Sequence, residues 1–118
     1  MIEALQRSAT LHEAQTPPQI VRPGLSRRII HSANLMTVVI DFTGGQWPQA
    51  EPMHSHPHEQ ITYVAAGEVL FVTGDSEPRR LGPGDLFAVP PDVPHSIQLL
   101  TPHARLVDTF NPIRQDFL

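Results

Sequence analysis

Turn signals interrupt this chain so often that it cannot be built from long helices. Thr43-Gly44-Gly45, Ala66-Gly67-Glu68, Gly74-Asp75-Ser76, Gly82-Pro83-Gly84-Asp85 and Thr101-Pro102-His103 each carry residues that make a tight turn or stop a helix. Between them lie short runs rich in β-branched residues, at 19–23, 26–31, 35–43, 60–66, 68–73, 78–81, 85–89, 95–100 and 104–110. Strands at this spacing, with no gap wide enough for a crossover helix, predict an all-β sandwich or barrel. Residues 1–18 read as an amino-terminal arm with a weak helical period at Ile2, Leu5 and Ala9, and residues 19–118 read as one barrel domain.

Composition narrows the function. A length of 118 residues fits one domain, and the 40% apolar content argues against disorder. Cysteine is absent, which removes disulfides, thiolate metal sites and a Cys nucleophile, and it fits a reducing compartment. All eight basic residues are Arg, so Schiff-base chemistry, a P-loop lysine and a Ser-Lys dyad are excluded. The net charge is -4, and the pairs Arg27-Arg28 and Arg79-Arg80 are too short and scattered for a nucleic-acid footprint. No apolar run approaches the roughly 18 residues of a membrane span, and the start lacks a basic leader followed by an apolar stretch. The expectation is a cytoplasmic protein with no nucleic-acid or membrane partner.

Four of the seven histidines fall in two short segments, His54, His56 and His58 in Met53-His54-Ser55-His56-Pro57-His58-Glu59-Gln60 and His95 in Pro94-His95-Ser96. In an extended strand residues i and i+2 share a face, so His54 and His56 aim two imidazoles at one point. Glycines and prolines from Gly82 to Pro94 stop one strand and restart another at His95, placing a third imidazole on a different strand. Pro57 breaks the alternation, so parity leaves the side of His58 open. His12, His31 and His103 lie at the tail, a strand end and a turn, and are not expected to be ligands.

These segments resemble the two motifs of the cupin superfamily, a small jelly roll (double-stranded β-helix) that holds a divalent metal in its barrel. The first motif appears as His54-x-His56, three residues, Gln60, six residues, Gly67, and the second matches at Gly84, Pro90 and His95. Pro48 stands where the first motif has Gly, Asp92 replaces the second Gly of the second motif, and Leu99 replaces its Asn. Gln60 stands in place of the acidic ligand, with Glu59 one residue earlier on the opposite face. The resemblance implies His54, His56, Gln60 and His95 as metal ligands, with His58 as the alternative fourth ligand and Glu59 outside the ligand set. Three neutral imidazoles and an amide leave a bound divalent ion at about +2, which attracts an anion and favours Lewis-acid work. Nitrogen and oxygen donors suit Ni, Zn, Fe, Mn, Co and Cu alike.

In the last segment, Asp108 and Phe110 share a strand face, and Arg114 can fold back over the same cavity mouth. The Asp-x-Phe-x-x-x-Arg ending, with His-x-His-Pro-His-Glu-Gln, resembles the KdgF-type cupins that linearise 4,5-unsaturated uronates in pectin and alginate breakdown. That resemblance implies a metal-dependent isomerase of a small anionic sugar acid. In it Asp108 moves protons, Arg114 grips the carboxylate and acts with Asp108 in catalysis, and Phe110 packs on the substrate ring. The alternatives are a metal-dependent dioxygenase of a small diketone or phenol, or a non-catalytic metal- or ligand-binding cupin. Trp47 is expected in the loop before the histidines, packing or lining the rim, and Phe117 and Leu118 pack the tail against the body or a second subunit. Open sheet edges favour a homodimer.

Overall fold

The computed structural model describes residues 7–118. Among these a 3-10 turn, Glu13–Gln15, precedes nine strands: β1 (Gln19–Arg22), β2 (Leu25–His31), β3 (Met36–Phe42), β4 (Glu59–Ala66), β5 (Val69–Thr73), β6 (Arg79–Leu81), β7 (Leu86–Val89), β8 (His95–Leu99) and β9 (Ala104–Asn111), with a closing 3-10 turn at Gln115–Phe117. Each of the nine runs rich in β-branched residues forms a strand, with ends no more than one residue away. Of the helical period, Ile2 and Leu5 lie outside the described residues, and Ala9 sits in irregular chain.

The strands form a six-stranded sheet, β1-β2-β3-β9-β4-β7, and a three-stranded sheet, β6-β5-β8. Every pairing is antiparallel. Alternation decides what faces inward. On β4 the buried residues are Gln60, Thr62 and Val64, and on β9 they are Ala104, Leu106, Asp108 and Phe110. At one end of the interior Phe42, Val64, Ala104 and Leu106 of the large sheet pack on Val69 and Leu99 of the small one. Burying each of the larger aliphatic side chains contributes roughly 1.5–3 kcal/mol. Toward the other end polar side chains, Gln60, Thr62 and Asp108, join the inward face beside the buried Met36, Val38 and Phe110, so the jelly roll has an apolar floor and a mouth where polar groups are set among apolar ones.

Outside the barrel, Arg105 fastens the amino-terminal segment to the large sheet. Its guanidinium makes two bonds to Asp41, at 2.7 and 2.9 Å, and one to Glu13 Oε1 at 2.8 Å. Arg28 Nε donates to the Thr16 carbonyl at 2.7 Å.

Gly67, the last residue of the first motif, turns the chain from β4 into β5 with φ +74°. A Cβ there would lie 2.2 Å from the His103 carbonyl oxygen and 2.7 Å from Ala104 Cα, both backbone atoms that cannot swing aside. Gly67→Ala is therefore expected to cost about 3 kcal/mol or more, from left-handed strain and overpacking together. Urea unfolding measures it, and a loss below about 1 kcal/mol would contradict this reading of the turn.

Candidate metal centre

The chain approaches the barrel mouth along β8. Trp47 N–H donates to Leu99 O at 2.9 Å, Glu51 N–H to Ile97 O at 3.0 Å, and His54 and His95 exchange both backbone bonds, at 3.0 and 2.9 Å. The strand expected to carry His54 and His56 does not form as a regular ladder. Pro48 and Pro52 lack the N–H that a continuous ladder needs, so His54 sits in an isolated bridge and His56 lies outside any strand. Asp92 takes over at this point. It adopts φ +64° where the second motif has glycine, and its N–H donates to the His56 carbonyl at 2.8 Å. Asp tolerates the left-handed region better than most residues, so the substitution preserves the turn.

These ties bring three imidazoles together. One ring nitrogen each of His54, His56 and His95 lie within 4.8 Å of one another, a spacing at which the three can bind one metal ion. His56 Nδ1 lies 2.8 Å from the His58 carbonyl oxygen and His95 Nδ1 2.8 Å from that of Val93. A carbonyl only accepts, so Nδ1 of His95 carries the proton and its Nε2 keeps the lone pair; His56 faces acceptor oxygens on both sides, Gln60 Oε1 at 3.0 Å being the farther, and the shorter contact assigns its proton to Nδ1 as well. His95 Nε2 is buried without a hydrogen-bond partner, as a ligand nitrogen facing a cation would be. Burial is the main force holding His54 and His95 below the usual imidazole range, reinforced at His54 by the adjacent His56 and at His95 by both other rings against its bond to Val93. Neutral rings are the form that ligates. The ring of His58 lies outside the convergent group; what His58 supplies to it is a carbonyl.

Gln60, on β4, points inward at 7% exposure with Oε1 3.0 Å from His56 Nε2. Its Nε2 donates to Thr62 Oγ1 at 2.9 Å, and Thr62 donates to Asp108 Oδ1 at 2.6 Å. His54, Gln60, His95, Asp108, Phe110 and Arg114 all line one cavity of about 290 Å³. Phe110 sets its ring edge-to-face on His56, with centroids 5.7 Å apart. Arg114 stacks over Phe110 at 5.1 Å and Phe117 at 4.2 Å, and pairs with Asp116 at 2.8 Å. Phe117 packs on Phe110, whereas Leu118 is exposed. Trp47 lines the cavity and packs edge-on against Phe42. Glu59 is exposed, on the outward side of β4.

Sequence reasoning missed Thr62 and Ser96, both fully buried at the polar end, and the Arg22–Glu51 ion pair that lines the mouth. For Thr62 a signal existed: it is two residues from Gln60 on a strand and must share its face.

A model of the cupin domain matches residues 46–109. The pectin degradation protein KdgF of Dickeya dadantii is 37% identical over 106 residues, covering 88% of this chain and 93% of that protein. The structure of KdgF from Halomonas sp. superimposes with a TM-score of 0.85 at 33% identity, covering 95% of this chain and 100% of that one. An RmlC-like cupin from Shewanella frigidimarina gives 0.83 at 34% identity, covering 95% and 97%. No helix among the described residues is long and apolar enough to cross a membrane.

Asp108 makes stability depend on pH. Burial pushes its carboxyl from 3.8 up to about 6, against the Thr62 hydroxyl and the Arg114 charge, which favour ionisation. The folded chain holds this proton more tightly than the unfolded one. That contribution is full below about pH 4 and is lost as pH rises through about 6. The displacement corresponds to roughly 3 kcal/mol. In metal-free protein Asp108→Asn is expected to raise the Tm more at about pH 7.5 than at about pH 4, and an equal change at both would contradict the assignment.

Proposed function

This chain belongs to the cupin domain family, and on that premise we propose that it is a metal-dependent isomerase that converts a cyclic 4,5-unsaturated uronate into an acyclic keto acid. The observation that carries the reading is that Asp108 and Arg114 line the same cavity as His54, Gln60 and His95, so an acid-base group and an anion-binding group face a cluster of metal donors. Similarity to a protein named for pectin degradation, KdgF of Dickeya dadantii, supports the substrate class.

In this reading His54, His56, His95 and the Gln60 oxygen hold a divalent cation, which supplies Lewis-acid polarisation of substrate oxygens. Arg114 binds the uronate carboxylate, exchanging part of its bond with Asp116 for the substrate. The ring edge of Phe110 limits how deep the sugar sits. Asp108 takes the proton of the anomeric hydroxyl as the bond from C1 to the ring oxygen opens, and a proton is returned to C4 as the enol at C5 becomes a ketone. Nothing is gained or lost overall. A carboxyl poised near 6 suits both halves of such a transfer.

Residues 19–118 form the catalytic barrel in this account and follow an arm at residues 1–18, of which 1–6 lie outside the described residues. The exposed Ile61, Tyr63 and Leu86, which β4 and β7 turn away from the barrel, offer a face for a homodimer. The absence of cysteine fits action in the cytoplasm.

The test is turnover of a 4,5-unsaturated uronate by metal-loaded protein without oxygen, followed by loss of the enol-ether absorbance. Conversion is expected, falling about 100-fold or more in Asp108→Asn and showing chiefly a raised KM in Arg114→Gln. No conversion by protein shown to carry metal would overturn the reading, and oxygen uptake in an aerobic parallel would indicate a dioxygenase instead.

A further inference from the structure

We propose that Thr62 is a positioning residue of the metal centre, whose hydroxyl decides which end of the Gln60 amide faces the imidazoles. The proposal rests on Gln60 being a ligand, as in the function proposed above. Thr62 is fully buried between Gln60 and Asp108 on the inward face. Its hydroxyl has one proton and spare lone pairs. The proton goes to Asp108 Oδ1 at 2.6 Å, so toward Gln60 the hydroxyl can only accept, and it takes the Nε2 donor at 2.9 Å.

The amide is thereby oriented with Oε1 toward His56 Nε2, 3.0 Å away. Both nitrogens of that ring face oxygens that only accept, and the shorter contact, 2.8 Å from Nδ1 to the His58 carbonyl, takes the proton and leaves Nε2 its lone pair. Two lone pairs thus face each other across 3.0 Å, a repulsive contact that a cation bound by both atoms from one side relieves. With the hydroxyl gone, Gln60 is free to rotate and donate Nε2–H into the His56 lone pair. This neutral contact withdraws two donors from the metal at once.

Zinc affinity, measured by competition with a chromophoric chelator, reads this directly. Thr62→Val keeps the volume and removes both hydrogen bonds, and is expected to weaken zinc binding about 10- to 100-fold. Thr62→Ser restores most of it. In a Gln60→Ala background Thr62→Val is expected to change zinc affinity little, because the amide it orients is absent. Wild-type affinity in Thr62→Val, or an equal loss in the Gln60→Ala background, would overturn the proposal. Melting of each metal-free variant checks folding, and Thr62→Ala replaces the valine variant if that does not fold, with the same expected outcomes. Turnover is not the readout, so the uronate reading can fail while this inference stands, and the reverse.

Discussion

The reciprocal backbone pair between His54 and His95 is the constraint on which the site depends. It joins irregular chain before β4 to the first residue of β8, and so places one imidazole from each segment across a ring-centroid distance of 4.3 Å. Asp92 adds a second tie at the His56 carbonyl. Two histidines separated by one residue thus receive separate anchors, even though prolines deny the segment a ladder. The third element, β4, enters from the opposite sheet with Gln60, which makes the centre a junction between the two layers. A distortion of either sheet that moved β4 relative to β8 would act on the donor spacing directly.

The polar end of the barrel is built against the stability of the whole. An interior lined by Thr62, Asp108, Gln60, His56 and His95 gains less from burial than the apolar end, and an ionised Asp108 is costly there. Hydrogen bonds limit that cost: Asp108 accepts from Thr62, Thr62 from Gln60, and the imidazoles donate to carbonyls. Each bond also removes a choice. The chain of donors from Gln60 to Asp108 and the two Nδ1 bonds turn the lone pairs of Gln60, His56 and His95 on the centre. The contacts that satisfy one side of each polar group thus leave its other side, such as His95 Nε2, free for a cation.

Much of this was legible in the sequence because it rests on local rules. Turn residues bounded all nine strands, since Gly and Pro act within a few residues of themselves. The His-x-His pair and His95 stood out because three imidazoles in two punctuated segments have few structural uses. What the sequence hid were effects of distance. That Pro48 and Pro52 would turn the histidine segment into a set of isolated bonds depends on its pairing with β8. Thr62 shares the face of Gln60 by alternation, but the direction of its hydroxyl proton depends on the register that sets it opposite Asp108. The strap from Arg105 to Glu13 joins residues 92 positions apart, and nothing near either one announces it.

The tautomers of His56 and His95 test the central claim, that the fold presents ligand lone pairs before any ion arrives. Long-range proton-nitrogen correlation NMR on metal-free protein distinguishes the two ring nitrogens. The account predicts protonated Nδ1 and unprotonated Nε2 in both residues near pH 7.5, with the Nε2 resonances moving when zinc is added. Protonated Nε2 in either ring, or Nε2 signals indifferent to zinc, would contradict it.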